Sequence, residues 1–128
     1  MSLYKNIQGK IGEDFAESYL KRQGFQIIGR NFRIRGGELD IIAIELSQLT
    51  GLKTLVFIEV KTRTSNDFGT PLEAITYWKL KALIKTAEFY RMKHGHLRLP
   101  ELMRIDAVSV VLGRNNELME IELVKNIS

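Results

Sequence analysis

No cysteine occurs among the 128 residues, which excludes disulfides, thiolate zinc sites and cysteine nucleophiles and fits a reducing compartment. Proline is scarce: Pro71 and Pro100 are the only two, and both fall where element boundaries are expected. No apolar run approaches the roughly 18 to 20 residues that would span a bilayer, and the N-terminus has no uninterrupted apolar segment of the signal-peptide kind. A cytoplasmic protein is expected. Internal repeats, low-complexity tracts and Pro/Ser-rich linkers are also missing, so residues 1–128 are expected to form one domain. Nor is the charge extreme. With 19 Lys and Arg against 15 Asp and Glu the net charge is +4, which permits a polyanionic partner without requiring one.

Apolar residues make up 45% of the chain, enough for one packed core. From Leu3 to Gln23, Leu3, Ile7, Ile11, Phe15 and Tyr19 recur every four positions, and Gly24 follows as a helix C-cap. Phe25 to Ile34 is rich in β-branched and aromatic residues. It runs through Arg35, Gly36 and Gly37 into Glu38 to Leu46, which together read as a hairpin. Thr54 to Lys61 (TLVFIEVK) is an apolar run suited to a central strand, interrupted only near its end by Glu59. Thr64 to Thr70 reads as loop. Thr70 and Pro71 form an N-cap and first-turn pair for a second helix, carried by Leu72, Ile75, Leu80, Leu83, Ile84, Ala87 and Tyr90 as far as Lys93. Arg104 to Leu112 and Glu117 to Val124, joined across Arg114, Asn115 and Asn116, close the chain as two strands. The expected fold is α/β, in the order αβββαββ, with a central mixed sheet flanked by helices.

The informative residues are charges set inside these apolar strands. Alternation places Glu38 and Asp40 of Gly37-Glu38-Leu39-Asp40 on one face, and likewise Glu59 and Lys61 of Glu59-Val60-Lys61. If the two strands are neighbours in register, Asp40, Glu59 and Lys61 converge within about 10 Å. Ionisable groups removed from water are expensive unless paired or bound to metal. Two carboxylates and a peptide carbonyl, that of Val60, make an oxygen-rich set of the kind that holds Mg²⁺ or Mn²⁺. Phosphodiester hydrolysis further needs a cation near the attacking water or the developing negative charge, and Lys61 stands two residues from Glu59 for that role. A strand-end ion pair would by itself account for Glu-x-Lys. The combination with Glu38 and Asp40, in strand context at both ends, favours a functional site.

At these residues the chain resembles the YraN-like bacterial proteins, placed in the restriction-endonuclease-like PD-(D/E)xK superfamily and similar in fold to archaeal Holliday-junction resolvases. The resemblance runs over residues 8 to 124. It rests on Gln8, Gly9, Gly12, Glu13 and Ala16, on Gly24 and Phe25, on Arg30, Asn31, Phe32 and Arg33, and on Gly37, Glu38, Asp40, Ile42 and Ala43. It continues through Phe57, Glu59, Val60, Lys61, Thr62, Arg63, Phe68 and Gly69 to Pro71, Ala74 and Lys79, and ends with Arg104, Asp106 and Val108. The stretch from Ser47 to Lys53 is longer than the tight turn usual at that place in the family. What the resemblance implies is a nuclease site in which Asp40 and Glu59 hold the metal and Lys61 assists the attack. It brings Glu13 near the site as a further ligand or a water-positioning carboxylate, against the simpler reading of a solvated helix residue paired with Lys10 or a neighbour.

The expectation is therefore a Mg²⁺- or Mn²⁺-dependent endonuclease acting on DNA, with branched or flapped forms suggested by the resolvase-like fold. The alternatives are a non-catalytic nucleic-acid-binding module that keeps the fold, or a protein-interaction domain in which the charges pair structurally. Phosphate contacts are sought among Arg30, Arg33, Arg35, Arg63 and Lys79, with Arg33 and Arg35 on one strand face and Arg63 sharing the parity of Glu59 and Lys61. Lys81 and Lys85 read as a solvated helix face. No motif for base-specific readout is visible. His94 and His96 flank Gly95 but lack neighbouring metal ligands in sequence and read as surface residues. Tyr77 and Trp78 could stack on bases, although Trp78 reads as core. A homodimer is expected by analogy with enzymes that meet two scissile strands.

Overall fold

The computed structural model describes residues 3–64 and 75–128. Helix α1 (Leu3–Arg22) leads into β1 (Phe25–Ile34), β2 (Gly37–Leu46) and β3 (Lys53–Thr64). Helix α2 (Tyr77–Lys93), a short 3-10 turn (Gly95–Leu97), β4 (Leu102–Leu112) and β5 (Leu118–Val124) complete the order αβββαββ. The five strands form one mixed sheet in the order β1-β2-β3-β4-β5. Only β3 and β4 run parallel; the other neighbours are antiparallel. Parallel neighbours need a crossover, and the connection between β3 and β4 is the one that carries α2.

Each helix covers one face of the sheet. Ala16 and Leu20 of α1 pack with Ile41, Ala43, Val56, Ile58, Val108 and Val110. Leu83, Ala87 and Tyr90 of α2 pack with Ile42, Leu55, Phe57 and Ile105. Val56 and Ile58 therefore face one helix while Leu55 and Phe57 face the other. Burial on both faces is why β3 reads as a continuous apolar run rather than an alternating one. No helix among the described residues is long and apolar enough to cross a membrane.

Two sequence expectations shift here. The row of α1 that is fully buried is Gly12, Ala16 and Leu20, while Ile11 and Phe15 are only half-buried and Ile7 is exposed. The packed face thus lies one residue, about 100° of helix, away from the apolar stripe. Size explains it: a Cβ on Gly12 would overlap Thr62 Oγ1 of β3, so the small residues let the helix backbone approach the sheet. The second shift concerns α2, which begins at Tyr77 rather than Pro71. Ile75 and Thr76 are not helical, and Thr76 is the N-cap, its side chain accepting a hydrogen bond from Lys79 N at 3.1 Å. The expected Thr70–Pro71 cap, Leu72 and the resemblance residues Phe68, Gly69 and Ala74 lie outside the described residues. The longer stretch after β2 is a loop, closed by Ser47 N donating to Leu52 O at 2.9 Å.

From mid-strand toward the sheet end where β2 finishes runs a polar network: Asp106, level with Ile58, is fully buried and accepts from Arg104 Nε at 2.7 Å and from Asn126 N at 2.9 Å. Arg104 also donates to Glu45 at 2.8 Å, and Lys125 reaches Glu45 at 2.6 Å. This network ties the C-terminal residues to β4 and β2. It uses up Arg104 and Asp106 structurally.

Candidate active site

The opposite end of the sheet is where β2 and β3 part. Their pairing runs from Leu46↔Lys53 to Ile41↔Ile58 and stops, while β3 continues beside β4 as far as Thr64↔Leu112. Next along β2 comes Asp40. Its carboxylate takes over where the ladder ends, Oδ2 accepting from Val60 N at 2.8 Å. Strict alternation also breaks there: Leu39 and Ile42, three residues apart, both pack in the α2-side cluster. Gly37 belongs to the same arrangement, because a Cβ on it would overlap Thr86 Oγ1 of α2. The GELD segment is thereby pressed between β3 and α2, with Asp40 at the mouth of the split.

Asp40, Glu59, Val60 and Lys61 line one groove of about 480 Å³, whose walls include Glu13, Glu38, Arg63 and Lys79. The groove continues past Glu13 and Glu38 toward Arg30 and Arg33 on one side, and past Glu59 and Lys79 toward Ala82 and Leu83 on the other. Asp40 is 7% exposed and Glu59 4%. Burial raises the Asp40 carboxyl, the Glu59 charge raises it further, and the Val60 N–H only partly opposes them, so its pKa is pushed up to about 7.

Glu59 carries the densest contacts. Its Oε1 receives Lys79 Nζ at 2.9 Å and Lys61 Nζ at 3.3 Å, while Oε2 is buried with no hydrogen-bond partner among the described residues. Burial lowers the Lys61 pKa and the adjacent Lys79 lowers it again, against the pull of Glu59. Burial works against the charge on Lys79 too, but hydrogen bonds to Lys61 and Glu59 outweigh it and hold Lys79 above its ordinary value. A carboxylate oxygen buried without a donor is costly in a finished protein. It is the natural place for a cation that the amino-acid chain does not itself supply.

The remaining expected residues divide. Glu13 is half-buried in the groove wall and bound to Arg30 Nη2 at 3.2 Å; Lys10 pairs instead with Asp14. Arg30 is thus engaged with α1, holding Glu13 and Asp14 together, rather than open to a ligand. Arg33 and Arg35 do not share a strand face: β1 ends at Ile34, and Arg35 lies in the turn. Arg33 is exposed and paired with Glu38 at 3.0 Å, so Glu38 also meets a cation at the groove edge. Arg63 lines the groove. Lys79, expected at a phosphate, is bonded to Glu59, a contact unreadable until the start of α2 is known. Trp78 is not core but 75% exposed. His94 is half-buried, its ring stacked on Tyr90 at 4.0 Å with Nδ1 against Tyr90 O, and His96 is exposed. Among the described residues no group of three or more His, Cys, Asp or Glu could hold a metal ion. Two carboxylates suffice for Mg²⁺, which retains several waters and is commonly bound through one or two carboxylates plus substrate phosphate.

Comparison with known proteins follows the same residues. A family model described as "Uncharacterised protein family UPF0102" matches residues 12–110. A UPF0102 protein of Caldicellulosiruptor saccharolyticus is 42% identical over 118 residues, covering 92% of this chain and 93% of the relative. One of Geobacter metallireducens is 38% identical over 126 residues, 98% of this chain and 95% of the relative. One of Dictyoglomus turgidum is 38% identical over 118 residues, 92% and 93% of the two chains.

Proposed function

Because the chain belongs to the uncharacterised family UPF0102, the YraN-like proteins, whose name carries no activity, we propose from its own geometry that it is a metal-dependent endonuclease hydrolysing phosphodiester bonds of DNA. The superfamily resemblance is consistent with that reading. The observation that carries it is the pair of buried carboxylates of Asp40 and Glu59 at a strand split, one oxygen of Glu59 left without a partner among the described residues and two lysines on the other. The two lysines pair with the other oxygen, and a divalent cation would give this one a partner.

Asp40, Glu59 and the Val60 carbonyl would hold Mg²⁺ or Mn²⁺, which supplies Lewis-acid charge to a phosphate oxygen. The chain's own residues do the rest. Lys61 lies beside Glu59 on the groove floor, where its ammonium offsets charge gathering on the phosphate or holds the attacking water by a hydrogen bond. Lys79 holds Glu59 in orientation through its contact with Oε1, and Arg63 at the groove wall offers a guanidinium to the backbone. Glu13 and Glu38, each tied to an arginine, rim the groove with fixed negative charge.

The test incubates the purified protein with single-stranded, duplex, flap and four-way-junction DNA in Mg²⁺ or Mn²⁺, beside Asp40→Ala and Lys61→Ala. Cleavage in the parent that falls at least about a hundredfold in both variants is expected, the usual loss for a transition-state charge partner. Binding without cleavage, unchanged in either variant, would instead mark a binding module that keeps the fold.

A further inference from the structure

We propose that Tyr77, Trp78 and Lys81, on the outer face of the first turns of α2, form a stacking platform for unpaired nucleobases of the strand whose phosphate enters the Asp40–Glu59 groove. The proposal takes the identity of that strand from the nuclease reading and adds what the reading lacks, a preference for single-stranded or branched segments.

Among the described residues neither ring belongs to a core cluster. Helix α2 buries Leu83, Thr86, Ala87 and Tyr90, whereas Trp78 is 75% exposed and Tyr77 64%. An indole is the largest apolar group available to a core, and leaving one in water next to a second ring is unfavourable unless something covers them. The rings are also mutually arranged. Their centroids are 5.3 Å apart at 74°, edge to face, and Lys81 Nζ lies 5.2 Å from the Tyr77 centroid and 6.0 Å from that of Trp78. The cation steadies both rings, and Trp78 keeps most of its surface open.

Position and charge identify the occupant. Trp78 precedes Lys79, and Lys79 Nζ is 2.9 Å from Glu59 Oε1 inside the groove. Successive helix residues point about 100° apart, so one turn of α2 sends Lys79 into the site and turns its neighbour Trp78 to solvent. Lys81 and Lys85, exposed at the third and seventh positions after Trp78, extend that face with positive charge. Flat aromatic surface flanked by lysines, beside a site that fits a phosphate, matches a polyanion carrying flat bases. In a duplex those bases are stacked internally and meet nothing here. In a single strand, flap or junction arm they are free to lie on the indole.

Trp78 is the only tryptophan in the chain, so its fluorescence reports this surface alone. The experiment titrates the full chain, in EDTA so that nothing is cleaved, with three probes. They are an oligothymidylate of about 12 nucleotides, within the usual site size of such surfaces, an abasic chain of the same length and phosphates, and a blunt duplex. The oligothymidylate should quench Trp78 saturably and bind about tenfold more tightly than the abasic chain, the equivalent of ~1.4 kcal/mol for one stacked base. The duplex should not quench. By anisotropy of labelled probes, Trp78→Ala should lose about that tenfold for the oligothymidylate and nothing for the abasic chain, with Trp78→Phe keeping most of it. Equal binding of the two chains, or an affinity indifferent to Trp78→Ala, would overturn the proposal. Cleavage is scored separately in Mg²⁺. Quenching without cleavage keeps the platform and removes the nuclease, while cleavage with no quenching does the reverse.

Discussion

Replacing Asp40 by Asn should stabilise the metal-free protein, and by an amount that depends on pH in a defined direction. The folded-state pKa of Asp40 is about 7, against roughly 3.9 in an unfolded chain. Between those values the folded protein keeps a proton that the unfolded chain has released. The stability this group contributes is therefore fully present below about pH 4 and is lost as pH rises through about 7. Three pKa units at 1.36 kcal/mol each set a ceiling of ~4 kcal/mol at pH 8. We take about half, ~2 kcal/mol, because the split between β2 and β3 opens on solvent and water screens the Glu59 charge. The amide introduced by Asp40→Asn is neutral throughout and can still accept the Val60 N–H through its side-chain oxygen. For a chain this size ~2 kcal/mol corresponds to roughly 6 to 10 °C in Tm. The assay is differential scanning fluorimetry of both proteins in EDTA from pH 4 to pH 8. The melting points should coincide at pH 4 and diverge, the variant melting higher, by pH 8. Added Mn²⁺ at pH 8 should then raise the parent and leave the variant nearly unmoved, since a ligand stabilises only the form that binds it. A constant difference across the pH range, or a variant less stable than the parent at pH 8, would refute the argument.

Other outcomes follow from single contacts. Lys79→Ala, which strips the shorter of the two lysine contacts from Glu59, should lower kcat/KM for DNA cleavage by about a hundredfold, read from initial rates. Gly37→Ala forces a methyl into Thr86 Oγ1, which is held by its hydrogen bond to Ala82 O at 2.7 Å. It should cost about 1–3 kcal/mol in urea denaturation, and adding Thr86→Ala should recover a measurable part. Arg104→Ala strands the fully buried Asp106 with one backbone donor and should destabilise by about 3–5 kcal/mol, the usual penalty for an uncompensated buried charge; a loss below about 1 kcal/mol by chemical denaturation would contradict that assignment.

Much of this protein is written locally and can be read without the fold. The apolar run Leu55–Ile58, the turn at Arg35–Gly36 and the helical spacing of Leu83, Ala87 and Tyr90 each depend on neighbours a few residues away, so element order and the α/β class follow from sequence. So does the strand parity that puts Glu59, Lys61 and Arg63 on one face, and the cost of burying charge that marks Asp40 and Glu59 as unusual. Other features depend on distances between segments. Thr76 caps α2, which turns Lys79 toward Glu59 and Trp78 toward solvent, and no periodicity within the helix distinguishes those two faces. The packed face of α1 is set by how closely Gly12 can approach Thr62, a fact of two elements and not of one. That Asp40 sits where β2 leaves β3, with its carboxylate bonded to the Val60 amide, required the register of the pair, because a side chain substitutes for a ladder hydrogen bond only where the ladder has ended.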